Sequence, residues 1–157
     1  PDIVLAPVYY REVALIARQA REIGLKVPLL GGDGWDSPAT LKNAGGALDG
    51  SYMSNHYSEA QGGPRIKAFV AAYQAKYGSK PNALAALGYD AMNIYADAVK
   101  RAGTTDKAKV RDALASTKDY PAVTGSITVD ADRNAVKPAI IQEAVNGNWK
   151  YLTTVNP

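Results

Sequence analysis

Cysteine is absent from this 157-residue sequence, and histidine occurs once, as His56. The first absence excludes disulfides, thiolate metal sites and cysteine nucleophiles together. The second excludes any metal centre with more than one histidine ligand. It also leaves a Ser-His-Asp triad with a single candidate base, and no G-x-S-x-G elbow accompanies it. No apolar stretch approaches the roughly 18 residues of a membrane span. No run of five or six basic residues occurs; the net charge of +3 is spread along the chain. A nucleic-acid partner is therefore not expected. No secretory leader pattern is visible. The chain opens on Pro1-Asp2 and runs straight into Ile3-Val4-Leu5-Ala6, which reads as a piece of a longer polypeptide.

What is present is globular in balance, with 46% hydrophobic and 21% charged residues. Asp2 to Val8 is a short apolar run that suits a strand buried on both faces. From Tyr10 to Ile23 the apolar residues Val13, Ile16, Ala17, Ala20 and Ile23 recur at helical spacing, and Gly24 is a natural stop. Val27 to Leu30 reads as a second strand. Strand, helix and strand with short connections make a βαβ unit, which implies parallel pairing. The loop Gly31-Gly32-Asp33-Gly34 follows; its glycines tolerate positive φ and admit a close approach to the backbone. A short helix starts at Pro38 with Ser37 as its cap, and Ser51 to Asn55 is extended.

Three helices are predicted next: about Pro64 to Tyr77, about Ala83 to Ala102 with Asn82 as cap, and about Asp106 to Ser116 with Thr104 or Thr105 as cap. Their apolar faces include Ile66, Phe69, Val70 and Tyr73, then Leu87, Met92, Ile94, Tyr95 and Val99, then Val110 and Leu114. Ile127 to Val129, Ala139 to Val145 and Trp149 to Val155 read as strands, the last two joined by the hairpin signal Asn146-Gly147-Asn148. The middle helices lack adjacent strands to pack on, which implies that a further segment supplies their sheet.

Enzymatic patterns are poor. The pair Asp130 and Asp132 sits in a D-A-D-R-N turn, which suits solvated turn acids. Gly31 to Gly34 lacks both the G-K-[ST] ending and the G-x-G-x-x-G spacing of nucleotide loops. No cofactor is implied. A binding pattern remains. Tyr9 and Tyr10 follow the first strand, while Asp33 and Trp35 follow the second. In open α/β sheets ligands sit beyond the carboxyl ends of the strands. A βαβ unit would bring Tyr9 and Asp33 to one rim, where an acid can pair with an ammonium and a tyrosine offers a ring wall. A turn aspartate bonded to its own backbone is the alternative.

The stretch Pro1 to Glu12, then Ala17-Arg18-Gln19-Ala20-Arg21, Gly24-Leu25, Gly31-Gly32-Asp33-Gly34-Trp35, Gly88-Tyr89-Asp90-Ala91 and Gly125-Ser126-Ile127-Thr128-Val129-Asp130 resembles the branched-chain amino acid (Leu/Ile/Val) periplasmic binding proteins. These segments keep the order found in the second half of that family. The resemblance implies an α/β, type I periplasmic-binding fold: parallel doubly wound sheets in two lobes joined by a hinge, with this chain an incomplete part of both. Residues 1–52 would form a βαβα segment of the C-terminal lobe, 53–125 the crossover and N-terminal-lobe helices, and 126–157 the returning strands and hairpin. It further implies an amino acid or related amine held in an interlobe cleft, a permease of an ABC importer as membrane partner, and a complementary N-terminal half bearing the carboxylate clamp. The location implied is periplasmic or extracytoplasmic, with a lipid anchor in a Gram-positive source.

Carried over by position, the ligand-facing tyrosine of the family falls on Tyr9. Its ammonium-binding acid falls on Asp33, where the best-known members have glutamate. The position facing the ligand side chain, often aromatic, falls near Leu84. Trp35 would line the mouth or pack within a lobe. Tyr10 would be a wall or a helix-start residue. His56 and Tyr57 would be hinge or rim residues, or direct contacts. Two other classes stay open: a ligand-sensing receptor or biosensor domain of the same fold, and a hydrolase using acid pairs.

Overall fold

A computed structural model describes residues 1–157, which divide into two compact units. Unit 1 comprises Pro1–Gln61 and Ala139–Val155; unit 2 comprises Gly62–Pro138 and Asn156–Pro157.

Unit 1 is built on strands β1 (Val4–Leu5), β2 (Leu29–Gly31), β3 (Tyr52–Asn55), β7 (Ala139–Val145) and β8 (Asn148–Val155), in that spatial order. The expected βαβ unit is present: β1 and β2 are parallel, with Val4 opposite Leu29 and Leu5 opposite Leu30. β3 continues the parallel set beside β2. β7 pairs antiparallel with β3 and, through the expected hairpin, with β8, so the sheet is mixed. The reason is local. Asn146 and Gly147 take φ of 50° and 73°, the double left-handed turn that closes a two-residue hairpin.

Helix α1 (Tyr10–Glu22) lays Val13, Ala14, Ala17 and Ala20 into the core and packs on α2 (Pro38–Ala44). The Ser37 hydroxyl accepts the Ala39 N–H at 3.2 Å, capping α2 as expected. The core gathers Leu29, Trp35, Leu48 and Met53 with the small residues of α1 and Ala144 of β7. Each large apolar side chain fully buried there contributes about 1.5–3 kcal/mol. One expectation fails at the edge. β1 is only two residues long and terminal in the sheet, so Leu5 is 67% exposed and not buried between two layers.

Unit 2 contains α3 (Pro64–Tyr77), α4 (Ala83–Ala102) and α5 (Lys107–Ala115), then a three-stranded sheet of β4 (Tyr120–Ala122), β5 (Gly125–Val129) and β6 (Ala135–Val136). α3 buries Ile66, Phe69 and Val70 as expected, and Phe69 stacks on Tyr89 of α4 with ring centroids 4.9 Å apart. α4 is capped by the Asn82 side chain, which accepts the Ala85 N–H at 3.0 Å, and it ends at left-handed Gly103. Its buried face differs from the one expected. Ala83, Ala86, Asp90 and Ala98 point inward, whereas Met92 and Tyr95 are exposed. Asp90 explains this choice. Its two carboxylate oxygens accept the N–H groups of Val123 and Thr124 at 2.8 and 2.9 Å, and short neighbours let the helix come that close to the β4–β5 turn. α5 starts on Asp106, which accepts the Lys109 N–H at 3.0 Å, and not on Thr104 or Thr105. Asp130 behaves as a turn acid: it accepts the Asn134 N–H at 2.7 Å, and those bonds hold its carboxyl below the usual carboxylate range.

β4 and β6 were not anticipated, and they move a boundary. Residues 126–138 belong with the helices of unit 2, because β5 pairs with β4 and β6 on its two sides. Residues 53–61 stay with unit 1, because β3 runs to Asn55 inside the larger sheet. The two units thus divide the chain between Gln61 and Gly62 and between Pro138 and Ala139.

Candidate functional site

The candidate site stands on unit 1, where the carboxyl ends of three adjacent parallel strands open. β1 is followed by Pro7, Val8 and Tyr9. The ring of Tyr9 is 72% exposed, and its main-chain carbonyl accepts the first turn of α1 from Val13. β2 is followed by a 3₁₀ turn, Asp33–Trp35, closed by bonds from Trp35 N–H to the Gly32 carbonyl and from Asp36 N–H to the Asp33 carbonyl. β3 is followed by His56 and Tyr57.

Trp35 sets this geometry from below. It is fully buried, so of its two expected roles, lining the mouth or packing within a lobe, the second holds and the first is corrected. Its indole N–H donates to the Ala6 carbonyl at 3.2 Å, which ties the turn after β2 to the end of β1. Thr40 donates to the Trp35 carbonyl at 2.6 Å and ties the same turn to α2. The ring lies flat on Gly31, where an added Cβ would fall 2.0 Å from an indole carbon. Gly31, Gly32 and Gly34 all lack positive φ. Gly31 is therefore present for the indole: of the two uses the sequence offers this loop's glycines, close approach to the backbone is the one realised here. Gly34 plays a similar part on the outer side: an added Cβ there would sit 3.1 Å from the Tyr9 ring. Tyr9 and the Asp33 turn thus share one rim.

The third strand brings His56 to the same rim. Its Nε2 lies 3.4 Å from Asp33 Oδ2, with both side chains well exposed at 37% and 49%. The histidine is placed by a buried amide relay. Gln142 of β7 accepts from the Asn55 side-chain amide at 2.9 Å, and Asn55 Oδ1 accepts the His56 main-chain N–H at 2.8 Å. That relay was missed from sequence. Its signal is the alternation of β7, which puts Gln142 on the same buried face as Ile140 and Ala144.

The rim is acidic. Tyr57, buried beside it, has its hydroxyl pushed up to about 12, chiefly by burial and then by the nearby Glu59 and Asp36 carboxylates. Burial disfavours any charge, so only the smaller, carboxylate part of that shift speaks for a cation here. Tyr10 is the first residue of α1 and carries the Arg11 guanidinium 5.7 Å from its ring centre, which fits the helix-start role. Leu84 belongs to unit 2, where it is the second residue of α4 and 63% exposed. Tyr9, Asp33 and His56 are therefore the residues brought together, with Trp35 beneath them and Tyr57 beside them.

The sequence model of a family described as periplasmic binding protein matches residues 1–148. The leucine-, isoleucine-, valine-, threonine- and alanine-binding protein of Pseudomonas aeruginosa is 30% identical over 123 residues, covering 78% of this chain and 32% of the relative. A leucine-binding protein from Thermotoga maritima superposes with a TM-score of 0.92 at 37% identity, covering 100% of this chain and 45% of that one. A branched-chain amino acid transporter substrate-binding protein from Streptococcus pneumoniae, solved with isoleucine, gives 0.88 at 35%, covering 99% and 45%. The chain spans less than half the length of these relatives. The family model over residues 1–148 and these relatives agree: the chain belongs to the periplasmic binding protein family, on the branched-chain amino acid branch, and has the type I periplasmic-binding fold.

Proposed function

We propose that this chain carries the amine-binding side of a solute-capture site serving an ABC amino-acid importer outside the cytoplasm. The observation behind the reading is the Tyr9 ring beside Gly34 in the turn that carries Asp33, at the carboxyl ends of two parallel strands. The ligand ammonium docks on Asp33, and its body lies against the Tyr9 ring. An ammonium–carboxylate bond strengthens as water leaves, so one acid on an acidic rim selects amines over neutral solutes. The carboxylate end of the ligand is gripped by donors outside residues 1–157, in the part of the family this chain does not match. Aspartate is a methylene shorter than glutamate, so the amine sits deeper toward the β2 end than it would over the longer acid. The role is non-catalytic: the bound solute is handed to a membrane permease.

Calorimetry on the intact protein tests the reading. Asp33→Asn removes the charge and keeps the shape. The expected loss of affinity for L-leucine or L-isoleucine is about 10- to 100-fold, the worth of a hydrogen bond to a charged group. Unchanged affinity for every amine that binds the wild type overturns the assignment.

A further inference from the structure

Asp33 already has a partner within the chain. His56 Nε2 stands 3.4 Å from Asp33 Oδ2, and the imidazole is charged only when protonated. The pair is long for a hydrogen bond and half exposed, so it is weak and opens readily. The placement is nonetheless built. The Gln142–Asn55 amide relay fixes the main chain of His56, and Trp35 fixes the turn that carries Asp33. Two rigid strand ends therefore aim a titratable cation at the carboxylate that the proposed function gives to the ligand.

We propose that His56 is a positioning residue and an internal competitor for Asp33, so that amine capture is coupled to loss of a proton from the imidazole. This rests on Asp33 being the ammonium site. With the imidazole neutral, Asp33 is an unshared anion whose orientation the histidine helps to hold. With the imidazole protonated, a cation already occupies one face of the carboxylate, and an incoming ammonium must displace it or lie beside a like charge. Both routes cost affinity. Linkage fixes the sign: the bound state holds fewer protons than the free state, so affinity rises with pH through the range in which imidazoles titrate, near 6.5, and is flat above it.

The surrounding ionisable groups are of other chemical classes than the imidazole. The turn and strand ends around the pair contribute Asp36, Tyr57, Glu59 and Tyr9, and α1, which packs on the turn of Asp33, begins with Tyr10, Arg11 and Glu12. Carboxylates as a class titrate near 4 and lysines and tyrosines near 10 or above, and the Tyr57 hydroxyl is pushed up to about 12.

The test uses the intact protein with L-leucine as probe. Calorimetry at pH 5.5 and pH 8, each in two buffers of different ionisation enthalpy, is expected to show about three- to tenfold tighter binding at pH 8 and release of a fraction of a proton near pH 6.5. His56→Gln should flatten that slope. A pH-independent affinity, a slope that survives His56→Gln, or tighter binding in acid overturns the proposal; the last would put the imidazolium on the ligand carboxylate instead. A second readout needs no ligand. His56 is the only histidine, so its ring proton resonance is unambiguous. Asp33→Asn should move its titration to lower pH, and an unmoved titration shows the two groups uncoupled and sinks the proposal. If leucine and the other amines fail to bind while that shift is present, the coupling stands and the amine-capture reading falls.

Discussion

At the scale of the residue, the site depends on side chains that never meet solvent. Trp35 is a core residue, yet its indole decides where Asp33 can be, because it bonds the end of β1 and fills the space above Gly31. Gly31 is thus a packing residue. An alanine there would drive a methyl group into the indole, with an added Cβ only 2.0 Å from a ring carbon. Backbone and ring must both move, and overpacking of this kind costs about 1–3 kcal/mol. Gly31→Ala is expected to lower the urea midpoint accordingly while Gly32→Ala, whose Cβ meets nothing within 4 Å, leaves it near the wild-type value. Equal midpoints for the two variants would show that the indole does not rest on Gly31 in solution.

At the scale of the element, two buried polar residues join pieces that hydrophobic patterning cannot join. Gln142 and Asn55 link β7 to the end of β3 in unit 1. Asp90 links α4 to the β4–β5 turn in unit 2 through two main-chain N–H groups. A carboxylate accepting two N–H bonds is satisfied on both oxygens. Asparagine at the same place would turn an amine toward one of those N–H groups and leave it unpaired in the interior, which costs about 1–3 kcal/mol. Asp90→Asn should therefore destabilise unit 2 by about that amount in urea titrations, with loss of hydrogen-exchange protection at Val123 and Thr124. Protection that persists at both amides would count against the latch.

At the scale of the whole molecule, each unit leaves large apolar side chains in water. In unit 1 these include Leu5, Leu15 and Ile23; in unit 2, Leu84, Met92 and Tyr95. Exposed apolar surface of this extent associates in water. The isolated 157-residue polypeptide is expected to self-associate at micromolar concentration, read as a mass that rises with concentration in light scattering. A constant monomer mass up to about 100 μM would contradict it. No helix is long and apolar enough to cross a membrane.

Much of this was legible in the residues alone. The positions of α1 to α4, the βαβ start and the closing hairpin follow from period, caps and turn chemistry, all of which are local: Ser37, Asn82, Gly103 and Asn146-Gly147 each act within a few residues of themselves. The rim of Tyr9 and Asp33 was also legible, because a short βαβ crossover leaves neighbouring parallel strands ending on one side. Tertiary structure alone decided the rest. β4 and β6 are two or three residues long, too short to show a period. The inward face of α4 was chosen by a hydrogen bond from 33 residues away, not by hydrophobicity. Trp35 and Gly31 form one packing unit only once β1 supplies the Ala6 carbonyl, and His56 reaches Asp33 only because β3 lies beside β2. Local rules set each segment's conformation, but which distant groups it meets depends on packing that no single segment encodes.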